Sequence, residues 1–184
     1  MTVTMTSILI GIGANLPSAR YATPIETVEA AVAALDAHPD VRVRRRSRWF
    51  ESAPVPLSDQ PWYVNGVCLV ETNLCPRALL DVLHAIELEF GRVRTEKNAP
   101  RVLDLDLLAY DDFVTTEGDD FDVPHPRLGE RAFVVLPLHD LVPGWSHPRT
   151  GVALDVLIAA LDATQIIRPL EPVHGADEGD FGAD

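Results

Sequence analysis

Cysteine is nearly absent: Cys68 and Cys75 are the only two in 184 residues. One sits inside an apolar strand-like run and the other just before a helix, too few and wrongly placed for a disulfide framework or a zinc site. Both read as packing residues, in keeping with a reducing cytoplasm. Long hydrophobic runs are missing as well. No apolar stretch approaches the roughly 20 residues needed to span a bilayer, and residues 1–7 carry no cationic region ahead of their apolar segment. The expectation is a soluble, unexported, cytoplasmic monomer that engages no membrane. Positive charge is also short, with 15 Lys and Arg against 28 Asp and Glu and a net charge of −13. The deficit is local. Asp111, Asp112, Glu117, Asp119, Asp120 and Asp122 form one acidic block without a Lys or Arg, and Glu171, Asp177, Glu178, Asp180 and Asp184 form another. Outside these eleven residues the chain is close to neutral, so a positive site fits within the acidic total, whereas a nucleic-acid-binding body is disfavoured.

What is present is a globular composition, 47% hydrophobic and 23% charged, long enough for one domain with a real core. We place that domain at residues 1–165 and read residues 166–184, Gly- and Asp-rich, as a disordered acidic tail.

The most informative stretch is residues 91–108. Four cations, Arg92, Arg94, Lys97 and Arg101, fall within ten positions, and Asp104 and Asp106 then alternate with leucines. On a strand, alternate side chains share a face and lie about 6.5 Å apart, so the two carboxylates can converge on one divalent ion or on two. Mg²⁺ favours one or two carboxylates, with phosphate and water completing its shell. A solvated Asp face beside a solvated basic loop is the plainer alternative; the adjacent cations and the stiff Pro100 approach favour metal and polyphosphate.

Residues 7–13 read as a buried strand ending in a glycine turn at Gly11 and Gly13. Leu16 and Pro17 rule out the helix that a dinucleotide fingerprint requires. Thr23, Pro24 and Glu26 mark a capped helix start, and Ile25, Val28, Val32 and Leu35 make its apolar stripe. Residues 41–50 read as one strand with Arg42, Arg44, Arg46 and Arg48 on a single face, either a solvated strand or a patch for RNA or a partner. A proline-punctuated turn, residues 51–61, follows as a plausible substrate wall. The next strand, residues 62–71, puts Tyr63 and Asn65 on one face, able to stack on and hydrogen-bond a heterocycle. Pro76 opens a second helix striped by Leu79, Leu83, Ile86 and Phe90 and stopped at Gly91, with Glu87 off the stripe. His125 is aimed by flanking prolines, residues 131–138 form a short apolar element, and residues 151–161 add a last helix. The order β-α-β-β-α-β predicts an α+β fold, a ferredoxin-like sandwich with helices packed on an antiparallel sheet plus a C-terminal extension.

Five segments in series, Gly11-Ile12-Gly13-Ala14-Asn15-Leu16, Asp59-Gln60-Pro61-x-Tyr63-x-Asn65, Gly91-Arg92-Val93-Arg94, Ala99-Pro100-Arg101-x-Leu103-Asp104-Leu105-Asp106 and Val123-Pro124-His125-Pro126-Arg127-Leu128, resemble the 6-hydroxymethyl-7,8-dihydropterin pyrophosphokinase family of folate biosynthesis. The resemblance implies transfer of pyrophosphate from ATP to the pterin hydroxymethyl group, giving AMP. It implies two Mg²⁺ on Asp104 and Asp106, with Arg92 and Arg101 stabilising the transferred group. Tyr63 and Phe133 would sandwich the pterin, Asn65 would bond its edge, and the backbone around Ser52 and Val55 would complete that pocket. Glu87, Arg94, Lys97, Leu107, His125 and Arg131 would line the ATP site. One departure is the run Lys97 to Arg101, which lacks the Trp of the family's basic-Trp-Gly-Pro-Arg pattern and implies fewer loop contacts to ATP. The residues alone also admit a Mg²⁺-dependent phosphohydrolase or nucleotidyl transferase, or a non-enzymatic module binding through the Arg-rich strand.

Overall fold

The computed structural model describes residues 7–93 and 100–171. Along the chain lie β1 (Ile8–Ala14), α1 (Pro24–Asp36), β2 (Val41–Arg46), β3 (Phe50–Ser52), β4 (Tyr63–Thr72), α2 (Pro76–Glu89), β5 (Asp104–Tyr110), a 3₁₀ turn (Leu128–Glu130), α3 (Ala132–Leu141), α4 (Leu154–Ala159) and β6 (Ile167–Pro169). The sheet order is β5-β1-β4-β3-β6, with β2 also pairing β4. The strand pairs are antiparallel. The expected α+β arrangement of helices packed on an antiparallel sheet is present.

Local chemistry sets the helices. Thr23 and Glu26 form the reciprocal capping box: Glu26 N–H donates to Thr23 Oγ1 and Thr23 N–H donates to Glu26 Oε2 at 3.0 Å, with Pro24 in the first turn. The α2 stripe of Leu79, Leu83, Ile86 and Phe90 is buried, and Gly91 at φ 86° lies just past the helix end.

Alternation along the strands builds two layers. Ile8, Ile10, Ile12, Val70, Leu105 and Leu107 pack with Val28 and Leu35 of α1 and Leu79 and Leu83 of α2. Leu9, Val67, Leu69 and Leu108, on the other face, pack with Val134, Val135 and Leu138 of α3 and Leu154 of α4. This second layer belongs to the C-terminal extension.

Five expectations change. The glycines do not end the first strand; β1 runs through Gly11 and Gly13 to Ala14. They are there because a Cβ at Gly13 would stand 2.8 Å from Asn65 Oδ1 and one at Gly11 would meet the Leu108 methyls at 3.3 Å. The single strand over 41–50 is two, β2 and β3, laid end to end along β4. The register shifts between Val43 and Arg45, and between the two strands Ser47 turns its hydroxyl to accept the Val67 N–H at 3.0 Å, so the strict alternation of arginines fails. The apolar element near 131–138 is the helix α3, with Pro137 inside it. Cys68 is buried as expected, but Cys75 is exposed at the start of α2. Finally, Ile167–Pro169 pairs with β3, so the folded chain passes the expected boundary at 165; residues 172–184 of the expected tail lie outside the described residues. Among the described residues no helix is long and apolar enough to cross a membrane.

Candidate active site

The layer of α3 and α4 covers only part of its sheet face. Where it stops, the same face presents Gly13 from β1, Asn65 from β4, and Asp104 and Asp106 from β5, because positions of one parity share a face. Leu105 and Leu107 accordingly point to the opposite core. The Leu107 side chain is therefore not part of the cleft lining; only its backbone stays at that level of the strand.

Asp104 is the centre of a charge cluster. Arg101 donates to its Oδ2 at 2.6 Å and Arg92 donates to its Oδ1. The same Arg92 Nη1 also donates to Glu87. Glu87 is 2% exposed and further accepts the Leu105 N–H at 2.7 Å. Glu87 thus stands behind Arg92 and holds it to β5 rather than lining an open surface. Burial works against a charge on Asp104, but Arg101 and Arg92 hold its pKa below the usual carboxylate value.

Asp106 has looser company: Arg131 Nη1 at 3.8 Å and His125 Nε2 at 4.0 Å. Burial, and then repulsion from Asp104, push its pKa up to about 7. His125 is held by its backbone N–H to Leu108 O at 2.9 Å, and its Nδ1 accepts the Arg127 N–H at 3.1 Å. Burial and then Arg131 lower its pKa to about 4, so at neutral pH it is an uncharged ring whose Nε2 carries the proton and faces Asp106.

Beside this cluster is a cavity of about 130 Å³. It is lined by Ser52, Ala53, Pro54, Val55 and Pro56 from β3 and the loop after it, by Gly13, Tyr63 and Asn65 from β1 and β4, by Arg127, Arg131 and Phe133 around the start of α3, and by Arg101 and Asp104 of the charge cluster. Asn65 is buried and donates to Ser52 Oγ at 2.8 Å. Arg131 lies 5.5 Å from the Phe133 ring centroid. The structure therefore brings Ser52, Val55, Tyr63, Asn65, Phe133, Arg101, Asp104 and Arg131 onto one cavity, with Asp106, His125, Arg92 and Glu87 around its charged end. Arg94 and Lys97 lie outside the described residues.

Three contributors escaped the sequence reading. Asn15, 1% exposed, accepts the Arg101 N–H at 2.9 Å on its side-chain oxygen, donates its own N–H to Arg101 O at 3.2 Å, and donates its amide to Pro61 O at 3.1 Å. It fastens the backbone of Arg101 to the ends of β1 and of the proline-rich loop. Gly13 and Arg127 line the cavity, as does Gln60 of the 51–61 turn expected to form a substrate wall. The available signal was Asn15 itself, a polar side chain closing an apolar run.

The fold and the site define a class: an α+β protein whose paired carboxylates and guanidinium groups adjoin a cavity lined by aromatic and amide side chains. The sequence pattern of the 7,8-dihydro-6-hydroxymethylpterin-pyrophosphokinase family matches residues 9–143. The chain is 41% identical over 153 residues to the 2-amino-4-hydroxy-6-hydroxymethyldihydropteridine pyrophosphokinase of Pseudomonas aeruginosa, covering 83% of this chain and 90% of that protein. It is 36% identical over 158 residues to the enzyme of the same name from Synechocystis, covering 86% and 77%. The fold is similar to that of the Plasmodium falciparum HPPK-DHPS, with a TM-score of 0.63 over 84% of this chain at 13% identity; the chain spans 43% of that longer protein. The chain belongs to the 7,8-dihydro-6-hydroxymethylpterin-pyrophosphokinase family.

Proposed function

We propose that the chain transfers pyrophosphate from ATP to the hydroxymethyl oxygen of 6-hydroxymethyl-7,8-dihydropterin, a step of folate biosynthesis. The observation that carries this reading is continuity: Tyr63, Asn65 and Phe133 line the same cavity as Arg101 and Asp104 of the charge cluster, so a ring seated in it would lie beside that cluster.

Tyr63 and Phe133 supply aromatic faces for the pterin, while Asn65 and the backbone from Ser52 to Val55 supply polar edges. Arg131, His125 and the backbone at Leu107 face the nucleotide; Arg94 and Lys97, outside the described residues, are assigned to ATP by the family resemblance alone. The hydroxymethyl oxygen forms a bond to the β-phosphorus as the bond from that phosphorus to the bridging α-phosphate oxygen breaks; AMP leaves with that oxygen and the hydroxyl proton passes to water. Such a transfer needs positioning and charge compensation more than covalent help from the protein. Arg92 and Arg101 provide the compensation through fork-shaped donors suited to phosphate oxygens, and Glu87 and Asn15 keep them in place.

Asp104 and Asp106 are the residues that would hold Mg²⁺, two ions in our reading, which when bound with ATP supply neutralisation across the phosphates. The donor set fits. Two hard carboxylates stand on one strand face, where burial and then repulsion from Asp104 raise Asp106, and no group of three or more His, Cys, Asp or Glu among the described residues is placed to hold a metal by itself. Phosphate and water are left to complete the shell. The guanidinium groups of Arg92 and Arg101 occupy both oxygens of Asp104, so a cation held there would compete with these two ion pairs. We further propose that the chain works as a cytoplasmic monomer on these two diffusible substrates, without nucleic acid or membrane. Three of the arginines that suggested RNA support this, since Arg44 pairs with Glu71, Arg48 with Asp140, and Arg46 stacks on Trp49.

The test is direct. With ATP, Mg²⁺ and 6-hydroxymethyl-7,8-dihydropterin, AMP forms in proportion to pterin consumed. ADP, or AMP made without pterin, overturns the reading and returns a phosphohydrolase or nucleotidyl transferase.

A further inference from the structure

Arg131 occupies an unusual post. It is the N-cap of α3, with φ −105° and ψ 112° and no side-chain cap of its own. Helix N-caps are most often Ser, Thr, Asp or Asn, whose side-chain oxygens accept a free N–H of the first turn. Arginine has donors only and cannot do this. The side chain instead reaches towards Asp106, with Nη1 at 3.8 Å, and its guanidinium lies over the ring of Phe133 in the first turn of α3. Some other group must hold the backbone at this junction.

That group is Gln165. Its Oε1 accepts the Ala132 N–H at 2.9 Å, and its Nε2 donates to Glu130 O at 2.9 Å. These are the two peptide units on either side of Arg131. Rotation about φ or ψ of Arg131 swings one of them, so a single planar amide bonded to both restrains both angles at once. No other side-chain type offers an adjacent donor and acceptor of this reach; asparagine has the same head but is one methylene shorter. The next residue extends the same brace, since Ala53 N–H donates to Ile166 O at 3.0 Å. Two consecutive residues thus join the start of α3 to the segment after β3 without lining the cavity.

We propose that Gln165 is a positioning residue, which fixes the backbone of Arg131 and thereby aims its guanidinium at the Asp106 end of the site. The proposal rests on the reading of that site as the pyrophosphate-transfer centre. Gln165 touches no reacting group, and it acts only through Arg131.

The experiment is a double-mutant cycle on the full chain, with kcat and KM for ATP and pterin measured well below the melting temperature. Gln165→Ala lowers kcat/KM about tenfold, the scale of one or two net hydrogen bonds. In an Arg131→Ala background the same change alters kcat/KM by less than twofold. Gln165→Glu keeps an acceptor for Ala132 N–H but opposes Glu130 O with another oxygen, and it loses activity as well. Two NMR signals read the placement without catalysis: in Gln165→Ala the Ala132 amide exchanges faster and the Arg131 Nε–H resonance shifts, while β1 and β4 amides keep their protection. Additive losses, a Gln165→Ala enzyme within twofold of wild type, or an unmoved Arg131 resonance overturns the proposal. If the wild-type chain forms no pterin-dependent AMP, the functional reading fails separately and the Arg131 resonance still decides the role of Gln165.

Discussion

At the scale of single residues, Asp104 and Asp106 are chemically alike and electrostatically opposite. Two guanidinium groups hold Asp104 ionised, whereas Asp106 has, among the described residues, cationic company no nearer than 3.8 Å, and burial and then Asp104 push its pKa up to about 7. We expect Asp104→Asn or Asp106→Asn to lower turnover by more than about 100-fold, the range for losing a main electrostatic stabiliser; turnover within a few-fold of wild type at saturating Mg²⁺ would remove both from the metal role. A second prediction separates the two. The folded-state pKa of Asp106 lies above the ordinary 3.8, so between about pH 4 and 7 the folded chain binds this proton more tightly than the unfolded chain. Relative to the protonated form, ionising Asp106 in the folded chain costs nothing below pH 4, costs progressively more between pH 4 and 7, and costs its full amount above 7. With about a third of the side chain exposed, solvent screens part of that cost, leaving roughly 1–2 kcal/mol. Asp106→Asn should therefore melt about 2–8 °C higher than wild type at pH 8 in EDTA, and the gap should close towards pH 4. A gap independent of pH, or of the other sign, contradicts the assignment. The alternation of Asp104 and Asp106 with leucines made their shared face readable from sequence; their opposite ionisation was not, because it depends on Arg92, Arg131 and Glu87 arriving from other elements.

At the scale of elements, the parts readable in advance were those whose cause is local. The capping box of α1, the stripe of α2 with its glycine stop, and the common face of Tyr63 and Asn65 all follow from spacing alone. The parts misread have tertiary causes. Gly11 and Gly13 look like a turn but lie within β1, and α3 is apolar on nearly every side because it is buried between the sheet and α4, so it shows little helical contrast. The glycines carry a testable consequence. A Cβ at Gly13 would stand 2.8 Å from Asn65 Oδ1, and Asn65 can yield only by leaving Ser52. Gly13→Ala should raise KM for pterin about tenfold, leave KM for ATP within about twofold, and cost about 1–3 kcal/mol of stability as an overpacked contact. Gly11→Ala meets only the Leu108 side chain at 3.3 Å, and neither residue lines the cavity, so it should leave both KM values within about twofold. Equal effects of the two substitutions on pterin KM, measured by steady-state kinetics, would show that Asn65 does not shape the pocket.

At the scale of the whole molecule, the site exists because two layers of unequal extent pack on one sheet. The layer of α1 and α2 covers its face, while α3 and α4 stop short and leave the Asp104 end open to substrate. The C-terminal segment then closes the sheet beyond β3: Phe50 faces Pro169, Glu51 faces Arg168 and Ser52 faces Ile167. Leu170 N–H bonds Trp49 O at 2.8 Å. A three-residue strand pairing with a segment more than 100 positions earlier has no periodic signature, and an acidic, glycine-rich continuation disguises it. Its placement predicts different outcomes for two truncations. Removing residues 172–184 takes away none of these bonds and should leave kcat/KM within about twofold and the melting temperature nearly unchanged. Removing residues 166–184 keeps Gln165 but deletes β6 and the Ala53 and Trp49 bonds. At about 0.5–1.5 kcal/mol each, these bonds amount to roughly 2–5 kcal/mol of stability. Because Ser52 sits at the end of the lost ladder and accepts from Asn65, the loss should fall on pterin, with KM for pterin rising by about tenfold or more and KM for ATP changing little. Thermal melts and paired KM measurements on the two truncated chains decide it: if both behave as wild type, β6 merely covers an edge and the pterin wall stands without it.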